Sequence, residues 1–331
     1  MVRVSIIVPC YNEESTIAQL LDAIFHQTFP AQDIEVIVAD GQSTDATRER
    51  IHDFSQLHPD LSIRVINNPR RYIPSALNRA IEASTGEYIV RMDAHSIPER
   101  DYVSTCIADL DAGKGENVGG AWKIVPPRDH WISKSIALAA SHPLGVGDAR
   151  YRYSSKPGWV DTVPFGAFRR ELFDRIGNYD EDLLTNEDYE FNARIKRNGG
   201  RIWFNPQIRC TYYARENLNA LARQYWRYGF WKWRMLKKDP TTLRWRQALP
   251  PLFVGILLLS AVTSPWILWS RYLLAAVITL YVITLFLSSS LTMKRSTSLW
   301  TIVGVPLAIA TMHITWGAGF LWSMVKSGFR G

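Results

Sequence analysis

Three long apolar segments near the C-terminus constrain the fold of this chain more than any other sequence feature. They cover about residues 248–269, 272–291 and 299–325, and none of them contains an acidic residue, a lysine or an arginine. At about 1.5 Å per residue, a helix of this length crosses the roughly 30 Å hydrocarbon layer of a membrane. The pattern predicts three transmembrane helices in residues 248–331. A buried helical bundle in a soluble protein is the alternative interpretation.

The segment before them, residues 216–247, is basic and rich in tryptophan. It carries much of the formal net charge of +7, and its tryptophans are interleaved with lysines and arginines. This mixture is typical of the lipid headgroup layer, although proteins that bind single-stranded nucleic acid combine the same residue types. Because apolar segments follow directly, the pattern favours an amphipathic helix at the membrane interface and no nucleic-acid partner.

The first 215 residues have the composition of a soluble α/β domain. Compact apolar runs of the buried-strand type, such as residues 4–8, 34–39 and 88–90, alternate with stretches whose apolar residues recur at helical spacing. Such alternation is typical of βαβ units, in which helices join parallel strands. The sequence therefore predicts a doubly wound, mostly parallel α/β sheet in residues 1–215.

Polar loops follow the predicted strands, at the edge where open α/β sheets bind ligands. Residues 10–14 and 40–45 form two of these loops, and neither has the glycine pattern of a dinucleotide fold or a P-loop. Asp40, at a strand end, can accept hydrogen bonds from a nucleoside, and a turn-forming role is the alternative. Asp45 has the position of a helix-capping residue.

Two acidic motifs further along the chain are the candidates for chemistry. Asp93 ends a predicted strand and is followed by His95, a pair that can hold a divalent cation against a diphosphate or simply form a turn. Glu187 and Asp188 open a predicted helix, where acidic residues also occur because they interact favourably with the helix dipole. A carboxylate there can instead be the general base that takes a proton from an attacking hydroxyl.

Residues 119–165 contain frequent glycine and proline, scattered aromatic residues and little periodicity. Long irregular stretches in compact domains are often binding loops or lids. The sequence therefore predicts an irregular loop or lid in this part of the chain.

Five motifs, taken together and in order, resemble those of the family-2 glycosyltransferases with the GT-A fold. The resemblance covers about the first 230 residues. The motifs are residues 8–13 (Val-Pro-Cys-Tyr-Asn-Glu), 40–45 (Asp-Gly-Gln-Ser-Thr-Asp), 92–95 (Met-Asp-Ala-His), 186–188 (Asn-Glu-Asp) and 224–228 (Gln-Tyr-Trp-Arg-Tyr). The apolar tail is similar to that of the bacterial exopolysaccharide branch, and most similar to the succinoglycan glucosyltransferase group.

The resemblance implies a role for each candidate site residue. The residues implied to contact a nucleotide-sugar donor are Pro9, Tyr11, Glu13, Asp40, Arg71 and Asp93. Asp93 and His95 would hold a divalent cation, Mn²⁺ or Mg²⁺. Asp188 would be the catalytic base, with Glu187 beside it. The residues implied to lie near the diphosphate or the acceptor are Gln224, Arg227 and Tyr228.

Two positions depart from the usual motifs of the family. His95 stands where the metal motif usually ends in Asp, and a neutral imidazole suits Mn²⁺ at least as well as Mg²⁺. Tyr228 stands where the last motif usually ends in Trp. The second departure favours an enzyme that adds one sugar over a processive synthase.

The resemblance also implies the overall function. The expected enzyme is a membrane-anchored, metal-dependent, inverting glycosyltransferase that moves glucose from a UDP-linked donor to a polyprenyl-linked glycan in exopolysaccharide synthesis. Transfer to a polyprenyl phosphate is the close alternative, and a non-catalytic membrane scaffold is the alternative of another class. Basic residues in 223–246 and the loop at Lys294 and Arg295 favour the cytoplasmic side. They predict a multi-pass protein of the cytoplasmic (inner) membrane with its catalytic domain on the cytoplasmic side.

Overall fold

The chain divides into two compact units in the computed structural model, which describes residues 2–292 and 300–328. The first unit consists of the chain up to Lys123 together with Ala149–Tyr212. The second unit consists of Ile124–Asp148 together with the chain from Tyr213. Each unit is therefore built from two separate stretches of the chain.

In the part of the chain that the structure describes, nine strands form one sheet. They are β1 (Val4–Cys10), β2 (Ile34–Asp40), β3 (Ser62–Asn67), β4 (Tyr88–Arg91), β5 (Ile97–Pro98), β6 (Asn117–Val125), β7 (Gly158–Val160), β8 (Ala167–Arg169) and β9 (Ile202–Tyr213). Their order across the sheet is β3-β2-β1-β4-β8-β6-β9-β5, and β7 pairs with β9.

The sheet has a parallel half and a half with antiparallel pairings. Strand β1 pairs in parallel with β2 and β4, and β2 pairs in parallel with β3. Every residue of β1 and β2 is buried, which explains their uninterrupted apolar character. Strands β5, β7 and β8 add antiparallel pairings. The predicted α/β fold with a parallel core is confirmed, and antiparallel strands extend it.

Among the described residues there are twelve α-helices. They are α1 (Ile17–Phe25), α2 (Thr47–Leu57), α3 (Ile73–Ala83), α4 (Tyr102–Asp111), α5 (Trp131–Ala140), α6 (Pro143–Val146), α7 (Glu171–Ile176), α8 (Glu187–Arg197), α9 (Leu218–Lys238), α10 (Trp245–Thr263), α11 (Leu268–Thr292) and α12 (Thr301–Gly328). Helices α1 and α2 each connect two neighbouring parallel strands, and α3 connects β3 to β4 on the other side of β1.

The core of the first unit lies against the parallel half of the sheet. Helix α1 buries Ile17, Leu20, Leu21 and Ile24, which recur at helical spacing and form one face. They join a cluster that includes Val36 of β2. Burial of these apolar faces fixes the strands, and with them the loops that begin at the strand ends.

The last three helices match the three apolar segments of the sequence. Helices α10, α11 and α12 are each long and apolar enough to cross a membrane. The first predicted segment was too long, since α10 ends at Thr263, just before Pro265, and Trp269 belongs to α11. The loop at Lys294 and Arg295, on which part of the predicted orientation depends, lies outside the described residues.

The stretch predicted to be irregular, residues 119–165, contains the end of β6, two helices and β7. That prediction was wrong for residues 119–125, 131–146 and 158–160. Helix α5 places Ile136 and Ala139 in one apolar cluster with Ile309 and Met312 of α12. Buried residues occur on most sides of α5, so its sequence has no clear amphipathic period. These contacts explain why residues 124–148 belong to the second unit, although the sequence groups them with the first 215 residues.

Close packing and polar contacts tie α12 to its neighbours in the second unit. A Cβ atom added at Gly229 of α9 would lie 1.9 Å from the carbonyl oxygen of Trp316, so the two helices cross at a glycine. The imidazole of His313 lies 2.8 Å from the carbonyl oxygen of Leu144 and 3.0 Å from the hydroxyl of Tyr281. Helix α12 is thus held against α9, α6 and α11 by close packing and hydrogen bonds.

Candidate active site

The two predicted donor loops begin side by side, because the strands that precede them are paired. Pro9 of β1 lies opposite Ala39 of β2, and Cys10 lies opposite Asp40. The backbone N–H of Gly41 donates to the carbonyl oxygen of Cys10 at 2.8 Å, so the strands remain joined up to the turn. Parallel pairing therefore brings residues 30 positions apart to one edge of the sheet.

Hydrogen bonds between the two loops hold both in place. The backbone N–H of Asn12 donates to the hydroxyl of Ser43 at 2.9 Å, and the Asn12 amide oxygen accepts from the backbone N–H of Thr44 at 2.8 Å. The backbone N–H of Glu13 donates to the hydroxyl of Thr47 at 2.8 Å. Asn12 has a φ of 53°, in the left-handed region that Asn tolerates better than most residues.

Tyr11 and Arg71 form an exposed pair above this edge. The guanidinium of Arg71 lies 5.2 Å from the centre of the Tyr11 ring, within the range of a cation–π contact. The ring of Tyr11 is 41% exposed and packs over Gly41, where an added Cβ atom would approach it to 3.0 Å. A flat aromatic surface and a cation are thus accessible at the carboxyl ends of β1 and β2.

Asp40 is buried, and its carboxylate is engaged within the protein. It accepts from the Nε of Arg48 at 2.6 Å and from the backbone N–H of Ser43 at 3.1 Å. Arg48 in turn donates to the amide oxygen of Asn67 at 2.6 Å. Arg48 therefore links Asp40 at the end of β2 to Asn67 at the end of β3. These contacts match the turn-forming alternative, and the predicted contact of Asp40 with a nucleoside stays a prediction.

The loop after β4 brings Asp93 and His95 to the same edge. The backbone N–H of Met92 donates to the carbonyl oxygen of Ile7 in β1 at 3.1 Å, which aligns this loop with the first donor loop. The imidazole Nδ1 of His95 lies 3.1 Å from the Glu13 carboxylate, so residues predicted separately for donor and metal binding are neighbours. Asp93 is partly exposed, at 23% of its side chain.

Asp93 and His95 together fit a divalent cation that takes its other ligands from elsewhere. A carboxylate oxygen and an imidazole nitrogen are donors that Mn²⁺ accepts, and Mg²⁺ favours the oxygen. Within residues 2–292 and 300–328, no group of three His, Cys, Asp or Glu side chains could hold a metal. Asp93 and His95 would therefore supply two protein ligands at most, and a diphosphate and water would have to supply the others.

Glu187 and Asp188 stand at the first turn of α8. The preceding residue, Asn186, has a φ of 70°, so the chain enters the helix through a sharp left-handed turn. The Asp188 carboxylate accepts from the backbone N–H of Tyr189 at 2.8 Å, and Glu187 is buried. Acidic side chains at a helix N-terminus are favoured by the dipole, which offsets part of the cost of burying them.

Arg91 joins the acidic groups of β4 and α8, and the sequence analysis missed it. Its Nε lies 3.3 Å from the Asp93 carboxylate and its Nη2 lies 3.1 Å from the Glu187 carboxylate, while its side chain is 6% exposed. Its Nη1 is buried and has no hydrogen-bond partner among the described residues. The sequence did offer one signal for Arg91: it is a charged residue directly after the apolar residues 88–90 of a buried strand.

The charges in this cluster shift the pKa values of its members. Burial raises the pKa of Asp188, the Arg91 guanidinium acts against that rise, and the Asp93 charge adds to it. Burial raises the pKa of Glu187 in the same way. Burial alone would lower the pKa of Arg91, but the carboxylates of Asp93 and Glu187 raise it above its usual range. The Arg91 cation thus lies beside two carboxyl groups, those of Glu187 and Asp188, whose pKa values are raised.

Gln224, Arg227 and Tyr228 lie within little more than one turn of α9, in the second unit. The side-chain amide of Gln224 donates to the hydroxyl of Tyr228 at 3.0 Å, across the i,i+4 spacing that places two side chains on one helix face. The structure thus groups these three residues with each other. Their predicted contact with a diphosphate or an acceptor stays a prediction.

The comparison with protein families assigns the part of the chain that carries the loops after β1, β2 and β4. The model of "Glycosyl transferase family 2" matches residues 5–177, which include the two donor loops and the loop of Asp93. The chain belongs to glycosyltransferase family 2. Asp188 and its helix lie beyond the matched residues, so their assignment to the family 2 site depends on the contacts of Arg91.

Two curated relatives are similar in sequence to most of this chain. The Methanococcus voltae "Dolichyl N-acetyl-alpha-D-glucosaminyl phosphate 3-beta-D-2,3-diacetamido-2,3-dideoxy-beta-D-glucuronosyltransferase" is 26% identical over 328 residues, which cover 98% of this chain and 97% of the relative. "Succinoglycan biosynthesis protein ExoA" of Rhizobium meliloti (strain 1021) is 32% identical over 259 residues, covering 76% of this chain and 77% of the relative. The predicted resemblance to the succinoglycan group is confirmed.

A solved structure shows the same fold. The mannosyltransferase PcManGT of Pyrobaculum calidifontis, in complex with GDP-Man and Mn²⁺, has a TM-score of 0.62 and 23% sequence identity, covering 97% of this chain and 87% of its own. The similarity confirms the predicted GT-A fold for this family 2 chain.

Proposed function

We propose that this chain is a membrane-anchored, inverting glycosyltransferase that moves glucose from UDP-glucose to a polyprenyl-linked glycan in exopolysaccharide synthesis. The observation that carries the proposal is the Arg91 bridge, which links Asp93 at the donor edge to Glu187 at the start of α8. The name of the ExoA relative supports an exopolysaccharide, and the name of the Methanococcus voltae relative supports a lipid-linked acceptor.

The donor edge binds the nucleotide sugar in this proposal. Tyr11 and Arg71 cover the nucleoside from the exposed side, since an aromatic ring and a guanidinium both stack on a base. Pro9 and Glu13 contact the nucleotide from the end of β1. Asp40 acts mainly by holding the second loop through Ser43 and Arg48.

Asp93 and His95 would hold a divalent cation, Mn²⁺ or Mg²⁺, which would supply positive charge beside the diphosphate. The PcManGT structure, solved with Mn²⁺, supports a cation in this fold. Glu13 lies 3.1 Å from Nδ1 of His95 and would fix the orientation of the imidazole toward the cation.

Asp188 is the general base. It takes the proton from the acceptor hydroxyl while that oxygen attacks the anomeric carbon, and the bond between this carbon and the diphosphate oxygen breaks. Attack from the face opposite the leaving group inverts the anomeric centre, so an α-linked donor gives a β-linked product. The raised pKa of Asp188 suits this role, because a base is most effective when its pKa approaches the working pH.

The second unit supplies the membrane anchor and the side chains of α9. Helices α10, α11 and α12 span the cytoplasmic (inner) membrane as a multi-pass anchor, with the catalytic unit on the cytoplasmic side. Gln224, Arg227 and Tyr228 of α9 contact the diphosphate or the acceptor. The basic and aromatic face of α9 lies in the headgroup layer, where a polyprenyl-linked glycan presents its terminal sugar.

The proposal is tested with the full chain in lipid nanodiscs, supplied with radiolabelled UDP-glucose and with Mn²⁺ or Mg²⁺. The acceptors are a short polyprenyl-diphosphate glycan and polyprenyl phosphate. We expect transfer to the glycan, with a β-linkage visible in the ¹H NMR coupling of the new anomeric proton.

Other outcomes separate the alternatives. Transfer to polyprenyl phosphate alone would establish the close alternative. Neither transfer nor donor hydrolysis with a panel of nucleotide sugars, from protein that still binds a nucleotide, would favour the scaffold. Asp174→Asn in α7 changes an exposed carboxylate of the same type and should leave transfer unchanged.

A further inference from the structure

Helix α8, which carries the proposed base, contacts three adjacent strands of the sheet in turn. Its first residue, Glu187, pairs with Arg91 of β4 at 3.1 Å. Further along, the ring of Phe191 packs edge-on against Phe168 of β8, with the ring centres 5.4 Å apart. The next residue, Asn192, forms a hydrogen bond with β6. Because these strands are ordered β4-β8-β6, the helix crosses the sheet with one contact to each of them.

The contact at β6 belongs to a short chain of buried polar side chains. The amide nitrogen of Asn117 donates to the amide oxygen of Asn192 at 2.7 Å, and the amide nitrogen of Asn192 donates to the hydroxyl of Thr162 at 3.0 Å. The Thr162 hydroxyl in turn lies 3.5 Å from the carbonyl oxygen of Val163. The side chains of Asn117, Asn192 and Thr162 are all buried. Asn192 therefore joins α8 both to β6 and to the segment that leads into β8.

The contacts of α8 differ in how strictly they fix its orientation. Burial of the Phe191 ring is mainly apolar and depends little on direction, whereas a hydrogen bond weakens steeply when its angle is distorted. The ion pair of Glu187 is directional, but it acts at one end of the helix. The bonds of Asn192 add a second directional contact more than one turn away. Two such contacts together fix the rotation of α8 about its own axis.

Asp188 lies four residues before Asn192 in the same helix. Residues at this spacing project from the same side of a helix, one turn apart. A rotation of α8 that breaks the bonds of Asn192 would therefore also displace the Asp188 carboxylate.

The two buried amides are not explained by stability alone. The amide oxygen of Asn117 is buried and has no hydrogen-bond partner within residues 2–292 and 300–328. A buried polar atom without a partner costs free energy, and two apolar side chains of the same shape can replace a buried polar pair with little loss of stability. A directional role accounts for amides at both positions.

We propose that Asn192 is a positioning residue, whose amide sets the rotation of α8 so that the Asp188 carboxylate faces the acceptor hydroxyl. This inference rests on the proposed function, in which Asp188 is the general base. A displacement of about 1 Å at a reacting group can lower a rate about 10²-fold. Turnover should therefore depend on the amide chain, while the loops after β1 and β2 keep their affinity for the donor.

The test compares Asn192→Leu with the double variant Asn117→Leu/Asn192→Leu, as full chains in nanodiscs with UDP-glucose and the glycan acceptor. The single variant leaves the Asn117 amide buried without a partner, so its melting temperature should fall. The double variant removes both amides, so its melting temperature should return toward that of the wild type. In both variants we expect kcat to fall about tenfold to hundredfold, with KM for the donor within about twofold of wild type.

Two further comparisons separate positioning from a general loss of stability. In an Asp188→Asn background, adding Asn192→Leu should lower single-turnover transfer by less than about twofold, because effects that pass through one group are not additive. Gln27→Met is the matched control, since the buried Gln27 amide donates to the carbonyl oxygens of Ala23 and Glu99 and does not contact α8. It should lower the melting temperature and leave kcat unchanged.

Recovery of kcat together with stability in the double variant would overturn the inference, as would a loss of donor affinity as large as the loss of kcat. Hydrogen exchange of the α8 amides, measured without substrate, gives a readout that needs no transfer. Both leucine variants should exchange about fivefold faster than wild type in α8 and at the wild-type rate in α1. Wild-type protein that transfers no sugar would refute the proposed function. Unchanged exchange in α8 would instead refute the role of Asn192.

Discussion

In the proposed reaction, the loops after β1 and β2 form the donor side of the site, and Arg91, Glu187 and Asp188 form its acceptor side. These two sides are stabilised in different ways. On the donor side, the two loops are joined by several neutral hydrogen bonds, such as those of Asn12 with Ser43 and Thr44. On the acceptor side, an ion pair between Arg91 and Glu187 links β4 to α8. Loss of one donor-side contact leaves others in place, whereas loss of Arg91 leaves the buried carboxylate of Glu187 without its cation.

This difference also assigns different tasks to the two sides. The donor side exposes Tyr11 and pairs His95 with Glu13, so these side chains are accessible from solvent. The acceptor side buries Glu187 beside Arg91 and raises the proton affinity of Asp188. Substitutions on the donor side should therefore change affinity, and substitutions on the acceptor side should change turnover.

The largest effect is expected for Arg91→Met. Breaking a buried ion pair from one side typically costs about 3–5 kcal/mol, because the remaining charge is buried without a partner. We expect a clear fall in thermal stability together with loss of transfer, and partial recovery of both in Arg91→Lys. Thermal unfolding of the full chain, with Arg50→Met as an exposed arginine control, measures this. Wild-type stability in Arg91→Met would show that the bridge does not hold the two elements.

A smaller but distinct effect is expected from pH. Asp188 must be deprotonated to act as base, and its pKa is raised by burial, so turnover should fall as pH decreases through that raised value. The acidic limb of kcat should therefore lie above about pH 3.9, where an ordinary Asp titrates. The measurement is kcat at saturating donor across pH. A profile that stays flat down to pH 4 would contradict a raised pKa in the base.

The smallest of these effects is expected for Tyr11→Ala and Arg71→Ala. Each removes one partner of an exposed stacking pair, which typically contributes about 0.5–1 kcal/mol, so KM for the donor should rise about twofold to fivefold with kcat nearly unchanged. The double variant should be little worse than either single variant, because the two residues act as a pair. Steady-state kinetics check this, and a fall in kcat without a change in KM would argue against donor binding.

The sequence predicted the fold where local patterns are strong and missed features that depend on tertiary contacts. The apolar runs of β1 and β2 and the helical spacing of α1 determine the parallel core, and all three were predicted. Helix α5 was missed because its buried surface extends around most of the helix, which removes the amphipathic signal. The spacing of apolar residues reveals a helix that buries one face, and it fails for a helix that is buried on several faces.

The candidate site shows the same limit. Asp93, Glu187 and Asp188 could be selected because acidic residues at strand and helix ends are conspicuous in sequence. Arg91 could not be assigned a role, since its partner Glu187 is 96 positions away and only the folded chain brings them together. Asp40 was visible as a strand-end carboxylate, but its contact with Arg48 depends on how α2 packs.

The central claim is that a donor-binding carboxylate and a catalytic carboxylate serve one reaction from two sides of one cluster. The most direct measurement compares Asp93→Ala and Asp188→Asn in the same nanodisc preparation, with UDP-glucose affinity and single-turnover transfer determined for each. We expect Asp93→Ala to lose metal-dependent donor binding. Asp188→Asn should bind the donor normally while transfer falls by about 10²–10⁴-fold. Retained transfer in Asp188→Asn, or donor affinity lost there as severely as in Asp93→Ala, would contradict the account.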